Sequence, residues 1–145
     1  MSCDPYIEQA KSNEQAARSI VTDYPDWAVT ICFYAALHWI EYYACVKGDD
    51  IGKQHPGRSP HESRWNYVFK LGKQLGNRNL VKTYENLENE SKKARYLQDI
   101  NTNAKVYYTK GKHKVTQSLQ NLQQIKQLLE EELKKSPKGD GKGVQ

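Results

Sequence analysis

One segment of this chain, residues 26 to 47, constrains the fold more than any other because it is almost entirely apolar and aromatic. Between positions 27 and 46 the only side chains outside that set are Thr30, His38 and Glu41. A helix with this composition is hydrophobic on nearly every side and has to be buried on nearly every side. We therefore predict that residues 26 to 47 form the central helix of the fold.

The polar side chains of this helix share one stripe. Thr30, Tyr34, His38, Glu41 and Cys45 follow one another at spacings of four, four, three and four residues, which places them on one face. A buried histidine or glutamate needs a hydrogen-bond partner. The stripe therefore indicates a ligand-facing site, an internal hydrogen-bond network or a contact with a second subunit.

The same helix is long enough to raise the question of a membrane. About 20 mostly apolar residues can cross a bilayer. However, a carboxylate near the helix centre, here Glu41, costs about 2.5 to 3.5 kcal/mol on insertion scales, and no second apolar span follows it. We therefore predict the core helix of a soluble protein without a membrane partner.

Length and charge limit the organisation of the chain. A chain of 145 residues is one ordinary domain that buries roughly 68 to 70% of its unfolded surface. We expect residues 1 to 135 to form a single helical-bundle domain and residues 136 to 145 to be a disordered polar tail. The net charge is +5, and residues 47 to 114 carry fifteen Lys and Arg against seven Asp and Glu. This local excess favours an anionic, phosphate-bearing partner.

The N-terminus and the cysteines predict a cytoplasmic protein. No basic segment followed by an apolar run opens the chain, so neither a signal peptide nor a transit peptide is expected. There are three cysteines, and Cys32 and Cys45 lie on opposite sides of the same helix, so they cannot bridge to each other. Unpaired cysteines suit a reducing compartment.

Helical periodicity and capping residues predict an all-α bundle of about five helices, with no strand of any length. Asp4 and Asp26 are expected to cap the first two helices, and residues 48 to 58 to form a mobile loop. The expected helices span about residues 4 to 21, 26 to 47, 60 to 75, 79 to 97 and 113 to 135.

The start of the third helix is the sharpest local signal. Ser59 at the N-cap, Pro60 after it and Glu62 three residues on form a capping box. His61 falls in the first turn and Arg64 one turn later, so together they offer a seat for an anion at a helix N-terminus. The alternative is that His61 is an ordinary surface residue beside a good cap.

Arg95 is predicted to point inwards from the fourth helix. It follows Tyr84 by eleven residues, close to three turns, and so shares a face with Tyr84 and Leu87. An arginine placed there needs a carboxylate, a cluster of carbonyls or a ligand phosphate. Glu41 is the obvious internal candidate, but spacing along the helix does not decide which of these partners Arg95 meets.

Residues 99 to 114 combine adjacent tyrosines with lysines, a composition that can stack on bases and neutralise phosphates, although tyrosines that pin a loop to the bundle would look the same. A metal site built from His38, Glu41 and His61 lacks a compact ligand motif. We predict no metal and no cofactor.

Three motifs resemble the HEPN-like superfamily of higher-eukaryote and prokaryote nucleotide-binding proteins. The first is the Asp-Trp-Ala start of the apolar helix, which leads into its Cys-Phe-Tyr-Ala-Ala-Leu-His-Trp-Ile-Glu run. The second is a histidine and an arginine three residues apart after a glycine-rich loop, and the third is a Tyr-Leu-Ser-Ala-Arg-Tyr pattern on one helix. In order along residues 25 to 135, these motifs correspond to positions 26 to 41, 59 to 64 and 84 to 96.

The resemblance implies a helical bundle that often dimerises, in a superfamily of ribonuclease toxins, defence and RNA-processing proteins, nucleotide binders and members with no known activity. In active ribonucleases of this superfamily, four to six residues separate a following histidine from the arginine that Arg95 matches. Here those offsets hold Ile100, Asn101 and Thr102. The resemblance therefore favours a binding protein over an enzyme.

Three hypotheses follow. The first is an RNA- or nucleotide-binding homodimer, whose binding residues would be His38, Glu41, His61, Arg64, Arg95 and Tyr96. The second is a metal-independent endoribonuclease, in which His61 and Arg95 would be catalytic and an antitoxin or nucleotidyltransferase would be the partner. The third is a structural bundle in which the polar stripe is internal or faces a second copy.

Overall fold

The computed structural model describes residues 2–135, and this part of the chain is helical without a strand, which confirms the all-α class. The described residues form seven helices where about five were expected, because two segments predicted as loops each contain a short helix. The tail predicted at residues 136 to 145 lies outside the described residues. In chain order the helices are α1 (Asp4–Ser19), α2 (Pro25–Lys47), α3 (Ile51–Gln54), α4 (Pro60–Leu75), α5 (Arg78–Tyr96), α6 (Ala104–Lys110) and α7 (Lys112–Lys135).

Helix α2 lies in the core. It packs mainly against α1, α5 and α7, and Phe33, Trp39 and Ile40 are essentially inaccessible to solvent. Among the described residues it is the one helix long and apolar enough to cross a membrane, and 61% of its most apolar window is buried inside the protein. Burial of that extent is what the core helix of a globular domain requires.

The ends of α2 differ in how well the sequence predicts them. The prediction that Asp26 caps this helix is wrong, because α2 begins at Pro25 and Tyr24 occupies the N-cap position without a side-chain hydrogen bond. Proline suits the first helical position, where no backbone donor is needed. The negative charge of Asp26 in the first turn still stabilises the helix, because the N-terminus of a helix carries a partial positive charge. At the other end, Gly48 adopts a left-handed conformation with φ of 76° and stops the helix as predicted.

The capping box at the start of α4 forms with one altered partner. The Ser59 hydroxyl accepts from the Glu62 backbone N–H at 3.2 Å, as predicted. The Glu62 carboxylate accepts from the backbone N–H of Arg58 at 2.6 Å, one residue before the N-cap. This contact ties the loop that precedes α4 to the first turn of the helix.

Helix α6 lies within the segment predicted to mix tyrosines and lysines in a loop. Tyr108 is completely buried, and its hydroxyl donates to the backbone carbonyl and the carboxylate of Glu90 at 3.0 and 2.7 Å. A ring in this position cannot stack on a base. The alternative in which tyrosines pin this segment to the bundle therefore holds for Tyr108.

Two of the three cysteines are joined. A disulfide links Cys3, the N-cap residue of α1, to Cys45 near the end of α2. Cys32 remains a free, buried thiol, and burial raises its pKa to about 12. Disulfides are more typical of oxidising compartments than of a reducing cytoplasm. The expectation that the cysteines are unpaired is therefore wrong, and the cytoplasmic location stays a prediction that the cysteines no longer support.

Candidate functional site

Two members of the polar stripe on α2 are satisfied within the fold. The Thr30 hydroxyl donates to the carbonyl of Asp26 in its own helix at 3.0 Å, and Cys45 is bonded to Cys3. The three members that remain lie between these two, on the partly exposed edge of α2, and are Tyr34, His38 and Glu41.

Arg64 connects α2 to the first turns of α4. Its Nη1 donates to Oε2 of Glu41 at 3.3 Å, and its Nη2 lies 3.3 Å from Nδ1 of His61. The side chains of Arg64 and Glu41 are only 14% and 24% exposed, so water screens this ion pair incompletely. The Nε of Arg64 is buried and has no hydrogen-bond partner among residues 2–135.

His61 is a neutral donor in this arrangement. Because every guanidinium N–H of Arg64 is a donor, Nδ1 of His61 has to accept, which places the imidazole proton on Nε2. Burial lowers the pKa of His61, the charge of Arg64 lowers it further, and Glu88 partly opposes the shift. The ring stacks at 6.2 Å on Phe33 of α2. The anion seat predicted at this helix N-terminus therefore offers an N–H dipole in place of a second positive charge.

His38 lies on the same side of α2 with one nitrogen unsatisfied. Burial, followed by the positive charge of Arg64, lowers the pKa of His38. Its Nδ1 is buried and has no hydrogen-bond partner among the described residues. A neutral imidazole is the form that such a site favours.

Arg95 is held by hydroxyl groups and ring faces. Its Nη1 donates to the hydroxyls of Tyr34 and Tyr96 at 3.1 and 3.0 Å. Its Nε and Nη2 donate to the carbonyl and the hydroxyl of Ser91 at 3.3 and 3.0 Å. The guanidinium carbon lies 5.6 Å from the ring centre of Tyr34 and 4.8 Å from that of Tyr96. These four residues form what we call the Arg95 cluster.

The carboxylate that was the internal candidate for Arg95 is engaged elsewhere. Glu41 pairs with Arg64, so among the alternatives left open for Arg95 the internal carboxylate is not the one observed. Among residues 2–135, no carboxylate forms an ion pair with Arg95. The charge of this arginine is compensated only by dipoles and by the faces of two aromatic rings.

The predicted site residues border two concave surfaces. Glu41 and Arg64 line a cavity of about 720 Å³ between the end of α2 and the start of α4. His61 lines an open groove of about 570 Å³ between α4 and α5, together with Lys92. Arg95 lies near enough to His61 for its charge to lower the pKa of that imidazole. The structure therefore brings Glu41, Arg64 and His61 into contact and places Arg95 in their neighbourhood.

Sequence reasoning named Tyr34, Ser91 and Tyr96 but assigned none of them to Arg95. Ser91 lies one turn before Arg95 on α5, so helical spacing was the signal that could have joined this pair. Tyr84 was assigned only to the core. Its ring packs edge-on against Phe33, and its buried hydroxyl has no hydrogen-bond partner in the described part of the chain.

Across residues 2–135, no three His, Cys, Asp or Glu side chains lie close enough together to hold a metal ion. Comparisons with protein-family models, characterised proteins and solved structures gave no match for this chain. The function therefore has to be argued from the chemistry of the residues themselves.

Proposed function

We propose that this protein is a HEPN-like helical bundle that binds a phosphate-bearing ligand, RNA or a nucleotide, at the Arg95 cluster. The supporting observation is a partly buried arginine without a carboxylate partner. An arginine in this position is compensated incompletely by dipoles, and its guanidinium matches the geometry of a phosphate group. A ligand phosphate would supply the missing charge.

The neighbouring residues suit the same ligand. His61 presents an Nε2–H donor, and Lys92 lines the groove beside it. In this proposal Glu41 holds Arg64, and Arg64 in turn fixes the tautomer of His61. The basic excess between residues 47 and 114 adds long-range attraction for a polyanion.

Tyr96 favours a nucleic-acid ligand over a simple anion. It is 68% exposed while its hydroxyl accepts from Arg95, so the free area of its ring is available for stacking. Base stacking on an aromatic ring is worth about 1 to 3 kcal/mol per base and tolerates different sequences. We therefore assign a single-stranded RNA segment or a nucleotide to this surface.

The experiment is fluorescence anisotropy with a short labelled single-stranded RNA at several salt concentrations. We expect affinity to fall with added salt, and Arg95→Ala to weaken binding by roughly ten- to a hundred-fold, since hydrogen bonds to a charged group contribute about 1.5 to 3 kcal/mol. Arg18→Ala is the matched control, because Arg18 pairs with Glu14 on α1 and its loss changes the net charge equally. Equal weakening by the two variants, or binding independent of salt, would refute the proposal.

A metal-independent endoribonuclease is the second candidate, and the neutral imidazole of His61 beside Arg64 favours it. His61 would transfer a proton and Arg95 would stabilise charge on the phosphate. Cleavage of RNA in EDTA that is lost in His61→Ala and kept in His113→Ala would establish this activity. If the folded wild-type protein leaves the RNA intact, the ribonuclease is refuted and only the binding function remains.

A homodimer and a defence or toxin–antitoxin setting belong to the same proposal. Trp27 and Leu97 are large hydrophobic side chains that are about half exposed, at the start of α2 and just after the end of α5. A second copy would cover such side chains. Light scattering over a range of concentrations tests the dimer, with Trp27→Ser expected to shift the equilibrium towards monomer.

A further inference from the structure

We propose that the Cys3–Cys45 disulfide is a thiol-exchange site, at which a small zwitterionic thiol bonds to Cys45 and releases Cys3 with the first turns of α1. This site lies at the C-terminal end of α2, whereas Trp27 lies at its N-terminal end. The inference does not depend on a ligand at Arg95.

The first argument is access. Cys45 lines the 720 Å³ cavity described above, and so does Tyr6 from the first turn of α1. Cavities of about 300 to 1,000 Å³ hold small-molecule ligands. A tripeptide-sized thiol therefore fits in a cavity that Cys45 lines, without unfolding of the bundle.

The second argument is the unequal position of the two sulfurs. Cys3 is the N-cap residue of α1, where unpaired backbone N–H groups stabilise a thiolate. Cys45 lies in the last turn of α2, where the carbonyl end of the helix disfavours a thiolate. Asp4 opposes the stabilisation at Cys3, but its side chain is exposed to water, which screens it.

This asymmetry determines which sulfur is attacked. In thiol–disulfide exchange the thiol with the lower pKa leaves faster. The incoming thiolate therefore bonds to the Sγ of Cys45 while the Cys3–Cys45 bond breaks, and Cys3 leaves as a thiolate that takes a proton from water. The proton released earlier by the incoming thiol balances this uptake, and no net oxidation or reduction takes place.

The charges of the cavity select the kind of thiol. The lining includes two basic residues, Arg58 and Arg64, and three acidic ones, Glu41, Asp49 and Asp50. Three of the five side chains are held by contacts: Arg64 pairs with Glu41 at 3.3 Å, and Asp49 accepts from the hydroxyl of Tyr67 at 2.7 Å. A thiol with both carboxylate and ammonium groups complements both kinds of charge.

Exchange would free a defined segment. The first fully buried residue of α1 is Ala10, whereas Tyr6 and Ile7 are only half-buried. The disulfide is therefore the strongest anchor of residues 3 to 9, and Ala10 and Ala17 keep the rest of α1 in place after it opens. Release of Tyr6 would open the cavity on the side of α1.

The experiment uses the oxidised full-length protein and reduced glutathione as the probe. After brief incubation, free thiols are alkylated under native conditions and the cysteines are assigned by peptide mass spectrometry. We expect glutathione on Cys45 and the alkyl group on Cys3, with faster amide hydrogen exchange in residues 4 to 9 and unchanged exchange in residues 10 to 19. Glutathione on Cys3, or two alkylated cysteines without an adduct at the shortest times, would overturn the proposal.

Two controls separate the site from general thiol chemistry. Cys32→Ala should give the same adduct, because Cys32 is buried and takes no part. 2-Mercaptoethanol, an uncharged thiol, should form the Cys45 adduct several-fold more slowly than glutathione after correction for thiolate concentration. If the two thiols form the adduct at equal rates after this correction, the charged residues of the cavity do not select the thiol.

Discussion

The guanidinium of Arg95 and the phenol of Tyr34, which are sixty-one positions apart in the chain, are joined by a hydrogen bond of 3.1 Å. This contact links α5 to α2. It holds a positive charge against the partly exposed edge of the core helix, where no carboxylate of the described residues neutralises it. Four predictions follow from this and related contacts.

Tyr34→Phe removes the hydroxyl and keeps the ring. We expect the free energy of unfolding to fall by about 0.5 to 1.5 kcal/mol, the net contribution of one hydrogen bond. RNA affinity should fall by less than in Arg95→Ala, because the cation–π contact with the ring survives. Urea unfolding and anisotropy measure the two effects.

The control for that variant is Tyr42→Phe. Tyr42 is half-buried on the same helix, and its ring packs edge-on against Trp39. Tyr42→Phe should change neither the free energy of unfolding nor the RNA affinity. A Tyr42→Phe effect as large as that of Tyr34→Phe would contradict the role assigned to the Tyr34 hydroxyl.

The ion pair between Glu41 and Arg64 should show measurable coupling. In a double-mutant cycle with Glu41→Gln and Arg64→Gln, we expect a coupling free energy of about 0.5 to 3 kcal/mol, since the pair is largely shielded from water. The matched pair is Arg58 and Glu62, whose side chains are 94% and 39% exposed. Coupling at least as strong between these two residues would show that burial does not strengthen the first pair.

Stability should fall towards acid pH through His38. Burial and Arg64 hold the pKa of His38 below its usual value, so the unfolded chain binds a proton more readily than the folded one. The contribution of His38 to stability is fully present above about pH 6.5, the pKa of the imidazole in the unfolded chain. This contribution is lost as the pH falls through the lower pKa that His38 has in the folded protein. His38→Gln should therefore flatten the pH dependence of the free energy of unfolding between about pH 7.5 and about pH 5.5.

The control is His113→Gln, because His113 is exposed near the start of α7. This variant should keep the wild-type slope. If the slope is unchanged in His38→Gln, the pKa of His38 is not shifted by folding. His61 shifts in the same direction, so some slope should remain in the single variant.

Two buried tyrosines should respond unequally to loss of their hydroxyls. Among residues 2–135 the Tyr84 hydroxyl makes no hydrogen bond of ordinary geometry, although Arg64 lies near enough to oppose the rise in pKa that burial causes, so Tyr84→Phe should change stability by less than about 1 kcal/mol. The Tyr108 hydroxyl donates to the Glu90 carboxylate at 2.7 Å, so Tyr108→Phe should lower stability by about 1.5 to 3 kcal/mol. Urea midpoints of the two variants that shift by the same amount in the same direction would contradict both assignments.

The fold could largely be predicted from local signals. Helical periodicity identified the five longer helices, and Ser59, Gly48 and Gly76 marked boundaries within a residue or two. The short helices α3 and α6 were missed although Asp50 and Asn103 cap them with their side chains. Helices of four and seven residues are not stable alone, so their formation depends on packing that no local pattern encodes.

The candidate site could be predicted only in part. The polar stripe of α2 and the inward direction of Arg95 follow from spacing along a helix, which is a local property. The partner of Glu41 could not be predicted, because both Arg64 and Arg95 were plausible partners for one carboxylate. Spacing within each helix could not distinguish them.

The amino-acid sequence alone determined the five longer helices, the burial of α2 and the residues that share its polar edge, because the 3.6-residue period acts over neighbouring positions. Only the tertiary structure decided which groups meet: Arg95 with Tyr34, Arg64 with Glu41, and Cys45 with Cys3. Partner choice depends on where helices cross and how far along each one the contact falls. Those positions come from the packing of the whole core, to which every helix contributes at once.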